Sequence, residues 1–360
     1  MIMKHTILTF TLFIFSCINV FAYDFTAICE TGQELAYTIN EDKETVCVYE
    51  NSTILGELII PANVEYDSKI YSVTSIGQYA FQNCSGLTSI IIPESVISIG
   101  SAAFCNCNGL TSITIPKSVT SIKSNAFEGC SALTSVTIPK SVTSIGRGAF
   151  GSCSALTSII VEEGNTTYDS RNNCNAVINT ESNALVVGCK NTIIPESVTS
   201  IDQYAFYDCS GLTSITIPES VTMIDQYAFY GCSGLTSITI PESVTSIRSI
   251  GVFFGCGDLT SIIVKEGNTK YDSRNNCNAV IKTESNTLVV GCKNTIIPET
   301  VTSIGGFAFY GCSGLTSITI PESVTLIGNN AFDDCSDLKK IICLSSTPPT
   351  ILARQFDCDN

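Results

Sequence analysis

Histidine, cysteine and paired carboxylates are the side chains that would carry chemistry in a chain of this kind. The only histidine among the 360 residues is His5, and it stands in a segment read below as a removed leader. Without it, Ser-His-Asp and Cys-His nucleophile systems, HExxH zinc sites and histidine general bases all lack a member. No Asp/Glu pair departs from the periodic background as an isolated acid-base site would. The sequence therefore predicts no catalytic residue, no cofactor site and no metal site. What remains is 19 cysteines and regularly spaced threonines, tyrosines and glutamates.

Nine cysteines each stand three residues after a phenylalanine: Cys84, Cys107, Cys130, Cys153, Cys209, Cys232, Cys256, Cys312 and Cys335. Recurrence at one position predicts small buried hydrophobes whose S–H faces a backbone carbonyl. A column of cysteine without histidine does not resemble a closed tetrahedral zinc site. Four others sit in two β-hairpin patterns. In the first, Cys174 to Asn179 and Ala184 to Cys189 flank a four-residue turn. If Asn179 faces Ala184, Cys174 faces Cys189; in the second copy, Lys282 facing Thr287 brings Cys277 opposite Cys292. Both pairs fall at non-hydrogen-bonded positions, where Cα atoms approach to about 4.5 Å, so two cross-strand disulfides are expected. Cys29, Cys47, Cys105, Cys343 and Cys358 have no deducible pairing.

The elements that position these residues come from an internal repeat. The motif Ala/Val-Phe-x-x-Cys-x-x-Leu-x-x-Ile places its Phe at 81, 104, 127, 150, 206, 229, 253, 309 and 332. Most steps are 23 residues, and the two steps of 56 each contain an extra segment, 162–191 and 265–294, in blocks that repeat after 103 residues. In Leu110 to Ile115 the Leu and two Ile point inward and Thr and Ser outward, a short half-buried strand. Pro116 stops it, Val119 and Ile122 return to the core, and Ala126-Phe127 closes the coil as a short helical or 3₁₀ turn. One coil cannot bury this apolar face alone, so coils must stack with like residues in columns. At about 4.8 Å per coil, roughly eleven coils make a rod on the order of 50 Å long.

The unit Ile-Pro-x-Ser-Val-Thr-Ser-Ile-Gly-x-x-Ala-Phe-x-x-Cys-x-x-Leu-x-x-Ile, as in Ile138 to Val161, resembles the BspA-type leucine-rich repeat of bacterial surface proteins, found also in some protozoan parasites. The resemblance covers about Val73 to Ile342. It implies a right-handed leucine-rich-repeat solenoid, secretion, and adhesion to host proteins or other cells, and it carries no catalytic residues. The fold expected is thus a β-dominated α/β leucine-rich-repeat solenoid of short parallel strands, with two hairpin insertions.

The ends differ from the repeat. Lys4 and His5 precede an apolar run from Ile7 to Ile18, with Val20 and Ala22 as small residues before Tyr23. This reads as a signal peptide over residues 1–22, too short to span a bilayer. A rival reading lipidates Cys17, although Phe15 is bulky for that cleavage box. Residues 23–72 form an expected N-terminal β cap with a hairpin around Asn40 to Lys43; the solenoid runs 73–342, and 343–360 is an end segment. No later apolar stretch is long enough to span a membrane.

Charge bounds the partners. With 33 acidic against 18 basic residues and a net charge of −15, the chain is unsuited to nucleic acid or a basic membrane patch. Three exposed columns could bind. Thr111, Thr114, Thr134, Thr137, Thr213, Thr216, Thr236, Thr239, Thr316 and Thr319 face outward with neighbouring serines. They are either solubilising β-formers or a repetitive hydroxyl array for a multivalent partner. Tyr204, Tyr207, Tyr227, Tyr230 and Tyr310 crowd another part of the coil, as an interface or as packing between coils. Glu94, Glu196, Glu219, Glu242, Glu299 and Glu322 make an acidic stripe that lacks the clustered oxygens calcium needs. The reading is a secreted or cell-surface non-enzymatic protein binding an extracellular or host-surface protein or glycan; the alternative is a stiff spacer with no ligand.

Overall fold

The computed structural model describes residues 23–248 and 250–352; the expected leader, Cys17 and Cys358 lie outside the described residues. The chain is a β-solenoid of about 13 turns with almost no helix. Each turn follows from the same alternation. Leu133, Val136 and Ile138 are buried while Thr134, Ser135 and Thr137 are exposed, and the strand Ser135–Ile138 pairs in parallel with Ser158–Val161. Ser237–Ile240 with Ser261–Val264 and Ser317–Ile320 with Lys340–Cys343 repeat that pairing. After the proline turn, Ser-Ile dipeptides form a second parallel ladder through 98–99, 121–122 and 144–145, each with its isoleucine turned toward the core.

A third tie sits at the phenylalanine corner. Phe104 N–H donates to the Ala126 carbonyl at 2.7 Å and Phe127 N–H to Ala149 at 2.8 Å. These corners are hydrogen-bonded turns rather than the helical turns expected. The reason is backbone handedness: Tyr204 and Asp208 have φ of 64° and 51°, Ala102 and Asn106 of 52° and 60°. A residue in the left-handed region on each side of the corner cannot continue a right-handed helix. The two 3₁₀ segments among the described residues, Arg171–Asn173 and Arg274–Asn276, lie in the insertions.

At the N-terminal end, Phe25–Ile28, Glu34–Ile39 and Thr45–Val48 pair antiparallel in succession, including the hairpin expected around Asn40. Thr45–Val48 then pairs in parallel with Lys69–Ile76, which joins these strands to the repeat ladder.

The insertions act as partitions. Ala176–Asn179 and Ala184–Gly188 form the expected hairpin, with Ile178 opposite Leu185, but a β-bulge between Val177 and Ile178 shifts the remainder by one residue. A one-residue slip sends side chains to opposite faces. Cys189, Val177 and Val187 therefore pack into the upstream core, while Cys174, Ala176, Ile178 and Leu185 pack downstream. The second hairpin repeats this, with Cys292 upstream and Cys277 downstream. The expected Cys174–Cys189 and Cys277–Cys292 disulfides are not formed, and all four residues are buried thiols.

The partitions also divide the phenylalanine file. Phe81, Phe104, Phe127 and Phe150 stack at 5.2–5.3 Å; Phe206, Phe229 and Phe253 form a second stack and Phe309 and Phe332 a third. At each break a glycine lies under the next ring. A Cβ on Gly188 would sit 2.1 Å from Phe206 Cε1, and one on Gly291 would sit 2.1 Å from Phe309 Cε1. The Ser-Ile ladder is closed at the same places by tyrosines: the Ile145 N–H donates to Tyr168 Oη at 3.2 Å and the Ile247 N–H to Tyr271 Oη at 3.0 Å.

Candidate functional site

The cysteine column is built for packing. Cys107, Cys130, Cys153, Cys232, Cys256 and Cys335 each donate S–H to the carbonyl of the phenylalanine one coil earlier, at 3.1–3.2 Å. Burial pushes the thiols of Cys153, Cys209, Cys312 and Cys335 up to about 12. A thiol held protonated is neither nucleophile nor metal ligand. No group of three or more His, Cys, Asp or Glu able to hold a metal occurs among the described residues.

All ten outward threonines are exposed. Two of them tie sideways to the coil before: Thr111 Oγ1 donates to the Thr88 carbonyl at 3.5 Å and Thr236 Oγ1 to Thr213 at 3.4 Å. The face is less uniform than a hydroxyl array. Thr137 lies opposite Ile160, Thr239 opposite Ile263 and Thr319 opposite Ile342. Ile91, Ile160 and Ile263 are 60%, 52% and 50% exposed. These isoleucines escaped the sequence reading, which followed threonine rather than strand position; the alternation in Thr157-Ser-Ile-Ile160 already turns Ile160 outward.

The five tyrosines come together on the corner side, each half-buried. Tyr207 stacks on Tyr230 at 4.9 Å, Tyr230 on Phe254 at 4.4 Å and Phe254 on Tyr310 at 4.4 Å. Tyr204 stacks on Tyr227 at 5.2 Å in a parallel column and meets Tyr207 edge-on at 80°. The outer ladder thus crosses the second partition, where the inner phenylalanine file stops. Burial first, then the Asp208 and Glu128 carboxylates, pushes the Tyr207 hydroxyl well up. Phe254 and Phe307 belong to this surface and were missed because they carry no polar handle. The glutamates of the acidic stripe are all exposed, and Glu219 pairs with Lys265 of the second insertion.

Each partition carries a small cavity, of about 10 and 20 Å³, beside Gly188 and Gly291. A drug-sized ligand needs several hundred Å³, far more than either of these holds. Comparison with known proteins matches the chain to a family model described as the BspA type leucine rich repeat region, in six copies over residues 74–185, 177–288 and 281–360. The chain belongs to the BspA-type leucine-rich repeat family. No curated protein matches it. Among solved structures, this BspA-type chain is similar to a leucine-rich repeat protein from Eubacterium ventriosum, at 22% identity and a TM-score of 0.52, over 85% of this chain and 94% of that one. A leucine rich cell surface protein from Faecalibacterium prausnitzii shares 25% identity over 90% of this chain and 96% of that one, at a TM-score of 0.45. One from Bacteroides ovatus shares 25% identity over 92% and 90%, at 0.44. No helix among the described residues of this BspA-type chain is long and apolar enough to cross a membrane.

Proposed function

We propose that the protein is a non-enzymatic adhesion module, secreted or held at the cell surface, that binds an extracellular or host-surface protein or glycan through its long outer faces. The observation that carries this reading is the repetition of like side chains at coil spacing, exposed in the Thr/Ile column and half-buried in the tyrosine ladder. Such a face gives multivalent contact along a rod rather than a pocket for a small molecule. Residues 1–22 act as its signal peptide, with Tyr23 as the mature start; N-terminal sequencing of secreted material tests this, and retention of residues 1–16 or a lipid on Cys17 would overturn it.

Solid-phase binding to extracellular-matrix proteins and cell-surface glycans tests the adhesion reading. Saturable binding that falls at least tenfold on replacing outward threonines (Thr114, Thr137, Thr216, Thr239) by glutamate, or ladder tyrosines by serine, supports it. A folded protein that binds none of them is a stiff spacer instead.

A further inference from the structure

The tyrosine ladder has a chemistry of its own. Its rings are tilted by 21–32° to one another at centroid separations of 4.4–4.9 Å, and each residue is only half-buried, so part of every ring stays open to solvent. The second column meets it edge-on at Tyr227/Tyr230 and at Phe307/Tyr310, at 68° and 89°. Beside the rings runs an open cleft of about 450 Å³ lined by Ser152, Asp208, Ser210, Tyr230, Ser233 and Phe254. Carboxylates stand at both ends. Asp208 follows Tyr207, with one oxygen held by Ser152 Oγ at 2.9 Å. In the coil after Tyr310 stand Asp333 and the exposed Asp334, and both Tyr230 and Tyr310 lie within electrostatic reach of Asp334. Asp333 is 8% exposed, and its Oδ1 has no hydrogen-bond partner. Arg147 lies in a separate cleft beside Tyr204 and Tyr207, and the Lys190 ammonium is taken up by the carbonyl of Ser154 at the cleft's edge, at 3.3 Å.

We propose that this ladder and cleft dock an extended, lysine- or arginine-bearing polypeptide segment, which lays its aliphatic stems over the half-buried rings and brings its charges to Asp208 and Asp334. Exposed ring carbon covers apolar stems and the carboxylates attract their charges, while the chain's charge of −15 repels an anionic glycan. About four residues of extended chain, at roughly 3.3 Å each, span the ladder. This assignment rests on the adhesion reading and names the partner class of one of its faces.

The test uses the chain from Tyr23 to Asn360 and fluorescein-labelled peptides of six Lys-Ser, Glu-Ser or Gly-Ser repeats, read by fluorescence polarisation. The Lys-Ser peptide is expected to bind saturably and the others not. Because any acidic protein attracts polylysine, the deciding variants are the charge-neutral pair Tyr230→Ser with Phe254→Ser, expected to weaken binding at least tenfold while still melting cooperatively. Asp208→Asn with Asp334→Asn should weaken it similarly and serves if the aromatic pair fails to fold; Glu219→Gln with Glu242→Gln should leave it unchanged. Equal binding by the ladder variants, or loss with the glutamate variants, overturns the assignment. Matrix binding that survives the ladder changes would remove this assignment and leave the adhesion reading standing; peptide binding without any matrix binding would do the reverse.

Discussion

A thiol buried in the core with its S–H on a backbone carbonyl is a poor reagent, and the cysteine column makes that a measurable property. Cys343 is exposed, whereas fourteen of the other described cysteines are buried and Cys47 and Cys335 are partly so. Iodoacetamide at pH 8 should label Cys343 within minutes and the column only on unfolding; rapid native labelling of Cys130 or Cys232 would refute the packing role. The same burial sets a pH dependence. A thiol whose folded value is raised keeps its proton while the unfolded chain loses it, so its stabilisation is complete below about 9 and drains away as pH climbs toward 12. Each such thiol costs up to roughly 1.4 kcal/mol per pH unit across that window. Urea midpoints should therefore fall steeply between pH 9 and 11, and Cys153→Ala with Cys312→Ala should flatten the slope. The column's role was legible because one residue type recurs at one position. The disulfides were misjudged because nothing in Cys174 to Cys189 announces the bulge at Val177.

At the level of the element, the hairpins decide how one stack of coils meets the next. Their existence, strands and turn were readable from the alternation around Asn179 and Ala184; their two-faced packing was not, since it depends on which rings arrive from both sides. Gly188→Ala should cost about 1–3 kcal/mol, because its Cβ would meet the Phe206 ring with no room to give. A control, Gly164→Ala, has nothing within 4 Å and bears only the strain of φ +88°, so a smaller loss in chemical denaturation is expected; equal losses would remove the steric account. Tyr168→Phe leaves the Ile145 N–H without its acceptor and should lower stability by about 1–3 kcal/mol, with faster amide exchange at Ile145 as the local readout.

For the whole molecule, the 23-residue spacing specified the solenoid and its columns before any coordinates, because stacking identical coils is the one way to bury so many isoleucines. It undercounted the turns, since the N-terminal strands and both hairpins contribute rungs of their own. About 13 turns at roughly 4.8 Å each give a rod some 60 Å long, and small-angle scattering should return a maximum dimension well above that of a globule of this mass; a compact profile would sink the stacked architecture.

Each partition shows one face to the coils before it and another to the coils after, and the two partitions are built alike. Cutting the chain at matching points of both hairpins and rejoining it would remove 103 residues yet leave every newly adjoining surface shaped for its neighbour. The molecule is in that sense modular in length: whole blocks can be lost or gained by recombination with no fresh interface to invent, so the rod changes length while its side faces keep their spacing.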